Sequence, residues 1–323
     1  MNLKPIKGQH HVSAITADAK ENVRFYTDVL GMRLVKKTVN QDDTSVYHLF
    51  YADERGNPGT DLTFFEIPFA GTTYRGTNSI STTSLRVPSN QALQYWVHRF
   101  DDYHVAHEGI QAEGKRQSIR FEDFEGQRLM LVSDEENTGV AGGKPWDQSP
   151  VPADVAIYGL GPVRLTISNA DVTARVLTEI LGFRYERTVE ESEKMVDVYA
   201  TGEGGTGAEI YLLQDAETSK ERPGRGSVHH VALRVESEEE LDKWVERITS
   251  YGLPNSGFVE RYYFKSLYFR EPNGVLIELA TDGPGFEGDE SFEHLGESLA
   301  LPPYLEGKRA EIEAKIKPLN TKS

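Results

Sequence analysis

The chain has 323 residues, 38% of them hydrophobic and 27% charged, enough to bury a sizeable core in two domains or one large pseudo-symmetric unit. A formal net charge of −16 argues against general nucleic-acid binding, which needs a basic footprint. With no cysteine, disulfides, thiolate nucleophiles and cysteine-based zinc sites are excluded, so any metal must be held by histidine and carboxylate.

The opening Met1 to Gly8 has no apolar run of signal-peptide type, and no later segment is long and apolar enough to span a bilayer. A cytoplasmic location without a membrane partner is the expectation. The first unit begins with Gly8-Gln9-His10-His11-Val12-Ser13, a β-rich run. A helix is predicted over Ala19 to Leu30, with Val23, Tyr26, Val29 and Leu30 facing inward and Gly31 ending it in the left-handed region. Three strand-like runs follow, Leu34–Val39, Tyr47–Tyr51 and Asp61–Ile67, giving a βαβββ order.

The pattern then repeats. Phe25 to Leu34 lines up with Val176 to Tyr185 when Gly31 and Gly182 are superposed, and Leu85-Arg86-Val87 with Trp96 parallels Leu233-Arg234-Val235 with Trp244. The segment from Phe121 to Asp134 likewise follows that from Phe269 to Asp282. The expected architecture is α+β: four βαβββ modules forming two half-barrel, cup-shaped mixed sheets. The first half (modules 1 and 2) covers residues 8–135, a Gly- and Pro-rich linker 136–153, the second half (modules 3 and 4) 154–282 and a C-terminal extension 283–323. The extension reads as a surface cover or contact arm, helical from about Leu305 to Ile316.

Superposing the modules shows where chemistry was kept. His11 corresponds to Pro162 in module 3, and His230 to Thr82 in module 2. Glu278, set among Leu276, Ile277 and Leu279, corresponds to Met130, and Glu66 approximately to Gln214. A carboxylate among such neighbours is costly without a cation or several donors. Modules 1 and 4 should therefore face one another across a metal held by His11, His230 and Glu278, with Glu66 a possible fourth ligand, while modules 2 and 3 form a metal-free counterpart. Because strand side chains alternate, His10 and His229 should point away.

These features resemble the vicinal oxygen chelate superfamily, which includes glyoxalase I, extradiol ring-cleaving dioxygenases and fosfomycin-resistance proteins. The resemblance rests on the βαβββ repeats, Phe25-Tyr26-Thr27-Asp28-Val29-Leu30-Gly31, the His-Val starts and the Glu-bearing last strands, and covers Gly8 to Asp282. Its nearest match is the ring-cleaving dioxygenases of the bacterial hydroquinone-resistance type. Leu267-Tyr268, Glu271-Pro272, Gly274 and Glu278 satisfy the second half of the extradiol signature, but the histidine expected at about Val259 to Arg261 is absent.

The resemblance implies an Fe(II) extradiol-type dioxygenase acting on a catechol or hydroquinone-like diol with dioxygen. Tyr268 would donate to a substrate oxygen, and Arg261, Tyr262 or Tyr263 would stand in for the absent histidine. If Glu66 also binds, two His and two Glu resemble glyoxalase I, suit Zn(II), Ni(II) or Mn(II), and imply an isomerase or lyase. A non-catalytic quinone- or antibiotic-binding protein is the third possibility, and a homo-oligomer is possible in each case.

Overall fold

The computed structural model describes residues 3–191 and 194–321. Module 1 comprises β1 (Gln9–Thr16), α1 (Ala19–Arg24), β2 (Arg33–Val39), β3 (Tyr47–Ala52) and β4 (Asp61–Glu66). Module 2 comprises β5 (Ser79–Val87), α2 (Asn90–Asp102), β6 (His107–Glu113), β7 (Arg116–Glu122) and β8 (Arg128–Ser133). Module 3 has β9 (Leu160–Ile167), α3 (Ala170–Arg175), β10 (Arg184–Glu191), β11 (Lys194–Ala200) and β12 (Glu209–Gln214). Module 4 has β13 (Val228–Val235), α4 (Glu238–Ser250), β14 (Val259–Glu260), β15 (Lys265–Arg270) and β16 (Leu276–Thr281).

Local chemistry sets the helix limits. Asp18 caps the N–H groups of Lys20 and Glu21, and Ser237 caps that of Glu240. Both short helices run on into a π-helical turn, Phe25–Val29 after α1 and Val176–Ile180 after α3, and Gly31 and Gly182 end them at φ of 69° and 74°. The repeat is thus visible in backbone detail.

The strands form two curled eight-stranded mixed sheets. One has the order β14-β15-β16-β13-β1-β4-β3-β2, so modules 4 and 1 join through the antiparallel pair β1 and β13. The other, β10-β11-β12-β9-β5-β8-β7-β6, joins modules 3 and 2 in the same way. Each cup therefore takes one module from each half of the chain.

Alternation assigns the faces. Val12, Ala14, Leu62, Phe64, Val231, Leu233, Ile277 and Leu279 pack into the main core with Tyr26, Trp96 and Trp244. His11, Ser13, Thr63, His230 and Glu278 lie on the opposite, concave face of the first cup. In the second cup, Pro162, Thr82 and Met130 take the places of His11, His230 and Glu278, and Arg164 and Tyr211 those of Ser13 and Thr63. Arg164 and Arg120 there pair with Glu113 and Glu191, filling that region with ion pairs.

The C-terminal extension packs on module 1. Lys36 Nζ, fully buried, is held by Phe286 O at 3.1 Å and by Asp289 and Glu290 carboxylates at 2.6 Å. The predicted long helix is two short ones, Pro303–Glu306 and Arg309–Glu313, whose Leu305 and Ile312 reach the core. Among the described residues, no helix is long and apolar enough to cross a membrane.

Candidate metal centre

His11 on β1, His230 on β13 and Glu278 on β16 converge at the seam between modules 1 and 4. His11 Nε2 is 3.1 Å and His230 Nε2 2.8 Å from Glu278 Oε2, and the two Nε2 atoms are 3.2 Å apart. Ligands about 2.1 Å from one ion on adjacent positions of its coordination sphere lie about 3 Å apart, so these atoms are spaced as co-ligands. All three residues are buried.

The hydrogen bonding behind them fixes which atoms face the common point. His10 Nε2 lies 3.0 Å from the Thr281 carbonyl, which can only accept, so Nε2 carries the proton. Burial pushes His10 down to about 3, so the ring is neutral and its Nδ1 is an acceptor. His11 Nδ1, 2.9 Å away, must donate to it, leaving the Nε2 lone pair free for a cation. His229 Nδ1 lies 2.8 Å from His230 Nδ1, and burial lowers His229 to about 4, so this neutral ring can accept from His230 in the same way. Ser266 Oγ donates to Glu278 Oε1 at 2.5 Å, while Oε2 is buried without a hydrogen bond. A buried anion facing two imidazole lone pairs fits a divalent cation.

His10 and His229 do not point away as strict alternation predicts. β-bulges interrupt the β1/β13 pairing between Gln9 and His11 and again between Ser13 and Ala14, where the partner steps from His230 to Val228. An extra residue at each bulge turns consecutive rings toward one another. The second cup has bulges at the matching places, so the kink belongs to the repeat.

A cavity of about 410 Å³ opens over the cluster, lined by His11, His230, Phe65, Phe264, Arg261 and Tyr268. Tyr268 stands edge-on to His230, with ring centroids 5.8 Å apart, and its hydroxyl accepts from Arg261 Nε at 3.3 Å. Burial and the nearby Glu278 carboxylate push the Tyr268 phenol up, so it stays protonated and able to donate. A larger cavity, about 710 Å³, lies where the N-terminal segment and the linker meet both cups, and no cluster of metal-ligating groups lines it among the described residues.

A profile of the Glyoxalase/Bleomycin resistance protein/Dioxygenase superfamily matches residues 8–138 and 159–279. The chain belongs to this superfamily. It is 54% identical to the Bacillus subtilis protein named "Putative ring-cleaving dioxygenase MhqA", over 97% of this chain and 99% of that one. It is 29% identical to a chlorohydroquinone/hydroquinone 1,2-dioxygenase of Sphingobium indicum, over 95% of each chain. A solved Bacillus subtilis structure titled as a "putative dioxygenase" superposes with a TM-score of 0.89 at 35% identity, over 99% of each chain.

Within this superfamily frame, Glu66 is not brought to the cluster. The strand position matching Glu278 in module 1 is Thr63: Ser13 is in register with Thr63 as Ala232 is with Glu278. Glu66 lies three residues further on, hence on the opposite face, where its Oε1 accepts from Ala19 N at 3.0 Å. Asp61, in register with His11, is buried with neither oxygen bonded, and burial pushes its carboxyl well above the usual range.

Of the residues expected to contact substrate, Arg261 and Tyr268 line the cavity, whereas Tyr262 and Tyr263 do not. Tyr263 is buried against Phe50 and Phe286, with its hydroxyl on Asp289 at 2.8 Å. Tyr262 adopts a positive φ of 64° and packs beside the same apolar cluster. A residue that sequence reasoning missed, His48 on β3, also lines the cavity. Its one signal was its place between Tyr47 and Phe50 in a strand whose inward face was not yet assigned.

Proposed function

We propose that the protein is a metal-dependent dioxygenase of the Fe(II) extradiol type that opens the ring of a hydroquinone- or catechol-like diol. The observation that carries this reading is the ligand set: two imidazoles and one carboxylate, the β4 position that matches Glu278 being Thr63 rather than a second carboxylate. Such a set leaves open positions on a metal, the arrangement suited to non-haem Fe(II). Without a second glutamate, the site has no carboxylate to spare as the base of a glyoxalase-type isomerisation. The names of the relatives at 54% and 29% identity support a ring-cleaving reaction.

His11, His230 and Glu278 would hold the ion, which when bound supplies a Lewis-acidic, redox-capable centre for a phenolate and dioxygen. Phe65 and Phe264 form apolar walls that suit an aromatic ring and limit water. The protonated Tyr268 hydroxyl, held by Arg261, donates to the substrate oxygen beside it. In the net reaction one ring C–C bond next to a hydroxyl-bearing carbon breaks, both atoms of dioxygen enter the opened product, and no external reductant is consumed.

The test is oxygen uptake by anaerobically Fe(II)-loaded protein given substituted hydroquinones and catechols, with the product identified by mass. Stoichiometric uptake with a ring-opened product supports the reading. Isomerisation of a thiol adduct without oxygen uptake, or diol binding without turnover, would refute it.

A further inference from the structure

Beside the three candidate ligands runs a ladder of hydroxyls that ends on a histidine. Ser13 shares the concave face of β1 with His11, and its Oγ is 2.7 Å from Thr63 Oγ1. Thr63 Oγ1 is in turn 3.0 Å from His48 Nε2. The His48 ring is clamped between Phe50 and Phe65, with centroid distances of 4.0 and 4.2 Å. It is partly open to the same cavity as Arg261 and Tyr268, and its Nδ1 takes no hydrogen-bond partner among the described residues.

β4 separates β1 from β3 in the sheet, so His48 stands two strand spacings, about 10 Å, from the strand that carries His11. A ring bound by one hydroxyl at the His11, His230 and Glu278 group, and lying over Ser13 and Thr63, reaches His48 only through a substituent on its far side. A 1,4-diol carries a hydroxyl there. A 1,2-diol has both hydroxyls on adjacent carbons, at the cation.

We infer that His48 accepts the hydrogen bond of the distal hydroxyl of a 1,4-diol, with Thr63 and Ser13 fixing its ring, and so selects hydroquinones over catechols. The inference rests on the proposed ring-cleavage reading of the same site. Burial between the two phenyl rings keeps His48 well below the usual imidazole range, so the ring is neutral. With Nε2–H donated to Thr63 Oγ1, Nδ1 presents a lone pair that accepts a phenol O–H and gives nothing to an ether oxygen.

The experiment compares wild type with His48→Phe, His48→Gln and Thr63→Val, all Fe(II)-loaded. kcat/KM is measured for hydroquinone and catechol, and anaerobic equilibrium binding for hydroquinone and 4-methoxyphenol. His48→Phe should lower kcat/KM for hydroquinone about 20-fold, mainly through KM, and leave catechol within about 3-fold. His48→Gln should recover part of that loss, and Thr63→Val should show a smaller loss in the same direction. Wild type should bind hydroquinone more tightly than 4-methoxyphenol, and His48→Phe should abolish the difference. Equal losses for both diols, or equal wild-type affinity for the two binding probes, overturns the assignment. If no diol is turned over, the ring-cleavage reading fails, while the two binding probes still decide the role of His48.

Discussion

His11 and Glu278, from the first and last modules of the repeat, meet with Nε2 3.1 Å from Oε2, both buried. The antiparallel joining of β1 and β13 brings them together, since His11 comes from module 1 while His230 and Glu278 come from module 4. The site is a product of the repeat's pairing, and the reactivity proposed for it depends on what each module kept.

The His10 ring should act through the tautomer of His11. His10→Phe removes the acceptor for the Nδ1–H of His11 and leaves the Thr281 carbonyl without its donor, while all three candidate ligands remain. Metal affinity, read by chelator competition, should fall about 10- to 100-fold. Unchanged affinity would mean that the 2.9 Å contact between His10 and His11 does not orient the ligand.

Tyr268→Phe keeps the ring against His230 and removes only the hydroxyl that Arg261 holds. Metal content and KM should be retained and kcat should drop about 100-fold. A variant with wild-type kcat would reduce Tyr268 to a packing residue.

A pH effect is expected at a joint between modules. Asp123, buried in module 2, accepts from the Tyr26 hydroxyl at 2.9 Å and from the N–H groups of Glu125 and Gln127, and burial still raises it from 3.8 to about 6. Between those values the unfolded chain is ionised and the folded one protonated, so the folded state binds more protons and stability falls as pH rises. The accumulated loss above pH 6 is about 3 kcal/mol. Asp123→Asn should match wild type in urea near pH 4 and exceed it at pH 7.5. A variant less stable than wild type at pH 7.5 would contradict this.

Much of the fold was legible because the chain repeats itself: Gly31 and Gly182 mark the same helix end, and the positions of His11, His230 and Glu278 emerge when modules are superposed. Four details escaped. Glu66 was matched to the last-strand position because the gaps after β3 hide register, and a three-residue error puts a side chain on the wrong face. His10 and His229 were turned away by an alternation rule that the bulges suspend. Tyr262 and Tyr263 sit in a turn, where no periodicity says which residue faces a cavity. His48 escaped because nothing local distinguishes an inward from an outward histidine on β3.

The central claim is tested most directly by metal content after purification without chelators, followed by anaerobic Fe(II) titration, in wild type, Glu278→Ala and Glu66→Ala. One ion per chain is expected in wild type and Glu66→Ala, with affinity lowered more than about 100-fold in Glu278→Ala. Wild-type affinity in Glu278→Ala, or loss of the ion in Glu66→Ala, would contradict the assignment of the site.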